Sequence, residues 1–558
     1  MLHSPNAMKH IVTFSLALAS LSTSAQSAVQ YRLDTISNAG GILRQGVVTP
    51  DGDHWAILNT ANGKVLWKAD PNGTPLWSMM LDSIYANGTL TALPNNDCAL
   101  VGSLPSQHTA GALYDTLFIH ITVTVLNPGG STAWSRTVST NVLYSGIDFG
   151  QASLGIVSCE PGPNNDLFVL SNVELGSSDF GLVTPFLFKF NGSGDLLWSK
   201  SYGRIIDVFV VWDYGVEQIR HSSDGGGYLF AEGAGNSIDV GPRLLRFGPN
   251  GGKQWFERAV YTNSSSWAFG NVMVDANDHP VLAGSLDLGN PYYGFVLNLD
   301  QLGQLGWARL YEGAIGYSGY GGASRIGGND LFRVSARSFV RTDISGSVLD
   351  AMASNDTSIA PHDFSFSPTS FGVANERVVL PGNITSVHQI FGYQESWPSF
   401  WSFAMDQPDG CLMHSIPVTP IDVPDTLIEL NADTSYHSFD AVVQVAPATF
   451  SATPRPPIQT LQACSIFVGI EEQSDKDSGL RIIENPVAAD GTLRLEGDFD
   501  ADLKLFTANG DLVRQDSRHR RDRQTAISLA GLPPGAYELN AIGMNGSLHV
   551  SLPVLITP

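Results

Sequence analysis

Along most of the chain, apolar residues come in short runs of strand length, each bounded by a turn that carries Gly, Asn or Asp. This is the pattern of many short β-strands joined by hairpins. One phrase recurs within it: a strand, an Asp or Asn turn with Gly, a Trp four residues after that Gly, then a second strand. The first copy reads Asp70-Pro71-Asn72-Gly73-Thr74-Pro75-Leu76-Trp77 and the second Asn127-Pro128-Gly129-Gly130-Ser131-Thr132-Ala133-Trp134. Three further copies end at Trp198, Trp255 and Trp307, and two degenerate ones, Asp343 to Leu349 without the Trp and Met405 to Cys411, bring the series to about seven. A second phrase, a turn followed by an apolar strand, precedes the copies, as in Asn95 to Gly102, Ser223 to Phe230 and Asn277 to Gly284.

A unit of four short strands cannot bury both its faces alone, and stacking such units radially around an axis leaves few exposed edges. The sequence therefore predicts an all-β protein whose residues 30–413 form a β-propeller of about seven blades. Trp77, Trp134, Trp198, Trp255 and Trp307 occupy matching strand positions and are expected to pack between adjacent blades. The competing reading makes some of them an exposed aromatic platform for a ligand. The repeated Asp and Asn residues are expected to be turn formers.

From Arg481 the pattern changes to alternating strands with Gly and Pro turns, including Leu493 to Leu495, Ala501 to Phe506 and Ile527 to Leu539. Residues 480–558 thus read as a small Ig-like β-sandwich. Residues 414–479 lie between the two and combine a Pro-rich closing segment, Pro417 to Pro457, with a linker at Glu471 to Ser478 that contains no apolar residue. Cys411 and Cys464 flank the closing segment, which reads as tied back to the last blade. Four cysteines allow three pairings. Cys98 with Cys159 and Cys411 with Cys464 is the expected one, because each pair would link neighbouring segments, and no C-x-x-C spacing points to a metal.

Residues 1–25 read as a signal peptide, with Met8-Lys9-His10 as a basic start, Ile11 to Leu21 as the apolar core and Thr23-Ser24-Ala25 as the cleavage site. Export permits disulfides. The apolar core is too short to span a bilayer and nothing later reaches ~18 uninterrupted apolar residues, so the chain is not expected to be membrane-embedded. The 57 Gly and 31 Pro, with 15% charged and 43% hydrophobic residues, suit a turn-rich β protein better than helices or disorder. A net charge of −23 excludes a large nucleic-acid surface, since phosphate binding depends on Lys and Arg.

Two resemblances follow from these motifs. The Gly-to-Trp phrase resembles the tryptophan-bearing blades of the quinoprotein-like propeller superfamily and the propeller repeats of large proteins exported by the type IX secretion system. In the tail, Asn485-Pro486 near the start, Leu505-Phe506 with Gly510 and Val513 in the middle, and Ile527-Ser528-Leu529 through Leu532, Gly535, Tyr537 and Leu539 resemble the type A C-terminal sorting domain of that system. The resemblance implies that Asn485, Pro486, Gly510, Leu532, Gly535 and Tyr537 belong to an address read by the outer-membrane translocon, and that the protein is secreted or held at the outer cell surface. The chain departs from the family in its basic stretch Arg518-His519-Arg520-Arg521-Asp522-Arg523 and in lacking a basic residue near its end.

Reactive constellations are absent from the sequence: there is no G-x-S-x-G elbow, H-E-x-x-H helix or Walker loop, and the thirteen His residues form no i, i+4 pair. No catalytic or cofactor-binding residue is assigned. Acidic turns such as Asp275-Ala276-Asn277-Asp278 leave calcium open as a ligand, although their spacing fits ordinary turns. The expected function is a non-enzymatic binding or adhesion module for an extracellular polysaccharide or protein. The alternative is a glycan hydrolase or lyase whose carboxylates, from different blades, meet at a central channel.

Overall fold

The computed structural model describes Ala28–Leu33 and most of residues 42–465 and 481–557; the longest connecting stretches outside the description are 145–151, 232–241, 313–321, 355–361 and 406–412. The chain divides into two compact units, Gln26–Ile466 and one containing Phe467–Pro558. The signal-peptide residues 1–25 and the linker at 471–478 lie outside the described residues.

Among the described residues, the first unit holds seven antiparallel sheets. Sheet 1 comprises Ile42–Val48, His54–Thr60, Gly63–Ala69 and Pro75–Leu81, each strand paired with the next. Sheets 2 to 6 repeat this meander. Their first and fourth strands are Thr89–Ala92 and Thr132–Tyr144 in sheet 2, Ala152–Pro161 and Leu196–Ile206 in sheet 3, and Gln218–His221 and Lys253–Tyr261 in sheet 4. In sheets 5 and 6 they are Ser266–Val274 and Leu305–Glu312, then Gly322–Ile326 and Val348–Ser354. Sheet 7 departs from the pattern. Its first strand is split into His362–Phe366 and Gly372–Ala374, followed by Arg377–His388 and Tyr393–Ala404, and its fourth strand is Ala28–Leu33 from the other end of the chain.

The first strands of consecutive sheets lie side by side from sheet 1 through sheet 6, and Gly372–Ala374 of sheet 7 lies beside both Gly322–Ile326 and Ile42–Val48, so the series returns to its start. The apolar cores accordingly sit between neighbouring sheets. Val123 and Val125 of sheet 2 meet Val169 and Phe188 of sheet 3, and Leu43, Trp67 and Ala69 of sheet 1 meet Val379 and Phe400 of sheet 7.

The residues after sheet 7 form a belt. Met413–Ser415 adds a fifth strand to sheet 6, Thr419–Asp422 to sheet 5, Ile428–Ala432 to sheet 4, His437–Asp440 to sheet 3, Gln444–Pro447 to sheet 2, Ala452–Arg455 to sheet 1 and Thr460–Ser465 to sheet 7. The segment ends on the last sheet, as the sequence suggests, after first visiting sheets 6 to 1 in reverse order. Between its strands the belt sets apolar side chains into the junctions it crosses. Ile416 and Val418 pack against the core shared by sheets 5 and 6, Val423 enters that of sheets 4 and 5, and Tyr436 that of sheets 3 and 4. Ala441 and Val443 follow between sheets 2 and 3, Phe450 between sheets 1 and 2, and Ile458 between sheets 1 and 7. Tyr436 stacks on Phe256 with ring centroids 4.1 Å apart. Three of the outer strands carry a proline, Pro420, Pro447 and Pro454, a residue tolerated on an edge because it has no N–H to offer a further strand.

The second unit consists of a three-stranded sheet, Arg481–Ile482, Thr492–Glu496 and Gln524–Ser528, and a five-stranded sheet in the spatial order Val487–Ala488, His549–Thr557, Gly535–Gly543, Ala501–Thr507, Leu512–Arg518. Alternate residues of both, among them Leu493, Leu495, Leu503, Leu505, Leu539 and Val554, close on one apolar core, as expected of strands with one buried face.

Candidate functional site

The recurring turn is built by its first residue. Asp70 Oδ1 accepts hydrogen bonds from the backbone N–H groups of Asn72 (2.9 Å) and Thr74 (2.7 Å); Asn191, Asp300 and Asp343 do the same two and four residues on. The Ser345 hydroxyl, then the N–H groups of Ser347 and Ser345, hold the Asp343 carboxyl below its usual range. The turn Gly takes positive φ, +78° at Gly73 and +81° at Gly194.

The five Trp residues act across sheets. Each indole Nε1–H donates to the carbonyl of the second residue of the next sheet's turn: Trp77 to Pro128 (3.2 Å), Trp134 to Gly192 (3.1 Å), Trp198 to Pro249 (2.9 Å), Trp255 to Gln301 (2.8 Å) and Trp307 to Ile344 (3.2 Å). The turn Gly of that next sheet lies against the same indole. A Cβ on Gly194 would stand 2.5 Å from Trp134 Cδ2, and one on Gly346 would stand 2.9 Å from the Trp307 ring. Thus the Gly and Trp of one copy do not serve each other: the Gly receives the preceding Trp, and the Trp reaches forward. Tyr202 and Tyr311 donate to the carbonyls of Gly251 and Gly346 over the same junctions (2.9 Å each), and burial raises both phenol pKa values.

A second repeated contact was not singled out from the sequence. Lys68 and Lys189, two residues before their turns, are buried and pair with Asp53 (2.5 Å) and Asp166 (3.3 Å) of their own sheets. They also donate to the Pro128 (2.9 Å) and Gly225 (3.0 Å) carbonyls of the next sheet. A buried cation is tolerable when a carboxylate and a further acceptor surround it. Arg246 pairs with Asp224 (2.8 Å) at the corresponding place, and Asn298 donates to Asp275 (3.2 Å). The signal was present in the sequence: a polar residue precedes the turn by two positions as Lys68, Lys189, Arg246, Asn298 and Arg341.

Among the described residues, two surface features are open to a ligand. One is a polar cluster on the first strands of sheets 3 to 5, where Glu160 accepts from Arg220 (3.4 Å) and lies 3.2 Å from His221 Nδ1, and Arg220 also donates to Asn271 (3.2 Å). Its carboxylate is occupied by basic partners, unlike the free acid and base pair that glycoside hydrolysis employs. The other is a set of exposed apolar side chains: Leu76, Leu197 and Leu302 in hairpins and strand starts of Trp-bearing copies, and Ile344 and Leu349 in the copy that lacks the Trp; Trp77, Trp198, Trp255 and Trp307 are half-buried.

Cys98 and Cys159 are free thiols, which corrects the expected pairing between them. Cys98 belongs to the core between sheets 1 and 2 and Cys159 to that between sheets 2 and 3, so sheet 2 separates the regions they pack into; burial raises both pKa values. Cys411 lies outside the described residues, while Cys464 falls in the last belt strand opposite Gln30. In the acidic turn considered for calcium, Asp275 Oδ1 accepts from the N–H groups of Asn277 and His279, and Asp278 accepts from Ser223. Among the described residues no group of three or more His, Cys, Asp or Glu could hold a metal ion.

Of the tail motif, Asn485, Pro486 and Gly510 lie outside the described residues. Leu532 and Tyr537 are buried in the apolar core of the second unit, Tyr537 Oη donates to the Pro533 carbonyl (2.7 Å), and Gly535 begins a strand. No helix among the described residues is long and apolar enough to cross a membrane.

No protein-family model matches the chain, and no curated protein does. Among solved structures it is similar to PorZ, described as a bacterial surface component of the type IX secretion system of Porphyromonas gingivalis, at 9% identity and TM-score 0.17, covering 95% of this chain and 100% of that one. It is also similar to an extracellular domain attributed to a one-component system of B. thetaiotaomicron, at 10% identity and TM-score 0.14, covering 96% and 100%.

Proposed function

We propose that the chain is a secreted or cell-surface binding module, a seven-bladed β-propeller followed by an Ig-like sorting domain for type IX export. The return of the seventh sheet to the first supports the propeller reading. The order of the tail motif, with Leu532 and Tyr537 in the core of a two-sheet sandwich, supports the sorting domain. The translocon is then the partner of the tail.

The observation that carries the binding reading is the recurrence of exposed apolar side chains, Leu76, Leu197, Leu302, Ile344 and Leu349, at the repeated turns and strand starts where half-buried indoles reach the next sheet. Exposed apolar side chains beside Trp form a surface suited to an extracellular polysaccharide or protein. A thermal-shift screen of the protein against polysaccharides tests this, because a ligand that prefers the folded state raises the melting temperature. A shift with one glycan that Leu302→Glu abolishes supports the reading; no shift with any glycan moves the assignment to a protein partner. Export is tested by deleting residues 480–558 in a host with the secretion system, where the protein is expected to accumulate inside the cell. A Cys411–Cys464 disulfide would join the two ends of the belt.

A further inference from the structure

We propose that the belt is a clasp that makes closure of the seven-sheet unit the last folding event, dependent on the chain being available as far as Ser465. Strand pairing and the packing of the junctions support the clasp, whatever the unit binds.

Sheet 7 is assembled from three remote segments. Ala28–Leu33 pairs with Tyr393–Ala404 on one side and Thr460–Ser465 on the other, so a strand from the beginning of the described chain becomes an interior strand only when the end of the belt covers it. The junction that follows, between sheets 7 and 1, is bridged by the belt as well. Ile458 is buried in the core that holds Phe400 and Trp67, and Trp67 Nε1–H donates to the Ile458 carbonyl (3.0 Å). Ser78 Oγ donates to the Pro456 carbonyl (2.8 Å) just before it.

The order of events follows from what each belt strand needs. Strands of three to six residues do not persist alone; each requires the fourth strand of its sheet and, for its apolar side chain, a junction whose two walls already exist. Tyr436 illustrates this, since it meets Phe256 of sheet 4 and Trp212 of sheet 3 together. The belt is therefore laid on sheets already formed, and because it begins at sheet 6 and runs backward, its last strand is the one that seals sheet 7.

Hydrogen–deuterium exchange on the full chain tests the clasp. Leu461→Pro with Gln462→Pro places a missing N–H on both sides of the final belt strand. Protection is expected to fall at least tenfold in Ala28–Leu33, Tyr393–Ala404 and Ile42–Val48, while Gly227–Ala231 of sheet 4 keeps its own. Asn431→Pro, in the belt strand of sheet 4, is expected to affect sheet 4 only. Loss confined to residues 460–465 in the double variant would overturn the proposal. If the double variant does not fold, the crosslink decides: Arg32→Cys with Leu461→Cys faces two directly opposed positions, and oxidised glutathione then joins them while being reduced. Unfolding in urea is expected to slow at least tenfold on oxidation and to recover with reductant, and an unchanged rate would sink the idea.

Discussion

Five junctions, from sheet 1 through sheet 6, are made by one device, a Trp reaching forward to the next turn. The junction between sheets 7 and 1 has a different aromatic contact: His54 stacks on Phe400 (5.1 Å, 10° between planes) and Trp67 packs on the same ring, while the belt adds Ile458 as it adds side chains to the five repeated junctions. The Trp hydrogen bonds of the repeated junctions span 37 to 58 positions, whereas the one from Trp67 to Ile458 spans 391. A repeat can encode how one unit meets the next. It cannot encode how the last unit meets the first, because those two are not neighbours in the chain, and separate segments have to supply that contact.

The comparison can be broken at either end. The largest effect is expected at a repeated junction: Trp198→Ala removes an indole that packs on Phe168 and Phe247 and should cost about 3 kcal/mol in urea denaturation. At the seam, His54 is fully buried and burial lowers its pKa to about 4, with Asp70 opposing the shift. The folded state therefore resists a proton that the unfolded chain binds below pH 6.5. Stability should fall as pH drops from 6.5 toward 4, by at most on the order of 3 kcal/mol from this group, and His54→Leu should remove that part of the pH dependence.

Smaller effects separate backbone from packing. Gly194 and Gly531 have φ of +81° and +80°, but a Cβ at Gly194 meets Trp134 whereas one at Gly531 meets open space. Gly194→Ala is expected to cost about 2 kcal/mol or more, and Gly531→Ala about 1 kcal/mol in its own unit. Sheet 6 has Asp350 where the Trp would stand, paired with Arg341; Asp350→Ala should cost less than about 1 kcal/mol, as partly exposed ion pairs do. Least costly of all, peptide mapping without reductant should recover Cys98 and Cys159 as free thiols that react only after unfolding, and Cys411 linked to Cys464.

The sequence displays the repeated half of this contrast openly. Turn, Gly and Trp lie within eight residues, so each copy can be recognised by itself, and strands such as Tyr228 to Phe230 and Leu503 to Leu505 show apolar patterning in place. The partner of each Trp was not visible, because which carbonyl an indole reaches depends on the packing of two sheets. The belt was harder still. Its strands are short, largely exposed and interrupted by proline, and their pairing partners lie up to several hundred residues away. The run Ala441 to Val445 looks like one strand, yet Ala441 and Val443 pack into the junction of sheets 2 and 3 while pairing begins at Gln444. The free Cys98 and Cys159 teach the same lesson: nearness in repeat order did not reveal that they serve cores on either side of one sheet.

The belt's reversed course also sets how the unit bears load. Tension applied beyond Ser465 meets Thr460–Ser465 first, then the contacts to sheets 1, 2, 3, 4, 5 and 6 in turn. Release of the first strand uncovers Ala28–Leu33 and so loosens sheet 7, whereas each later one is an outer strand lying on a four-stranded meander. A force-extension trace pulled from that end should therefore begin with one larger event at the seam, followed by a staircase of small releases in which the remaining outer strands act as sacrificial bonds for sheets 1 to 6.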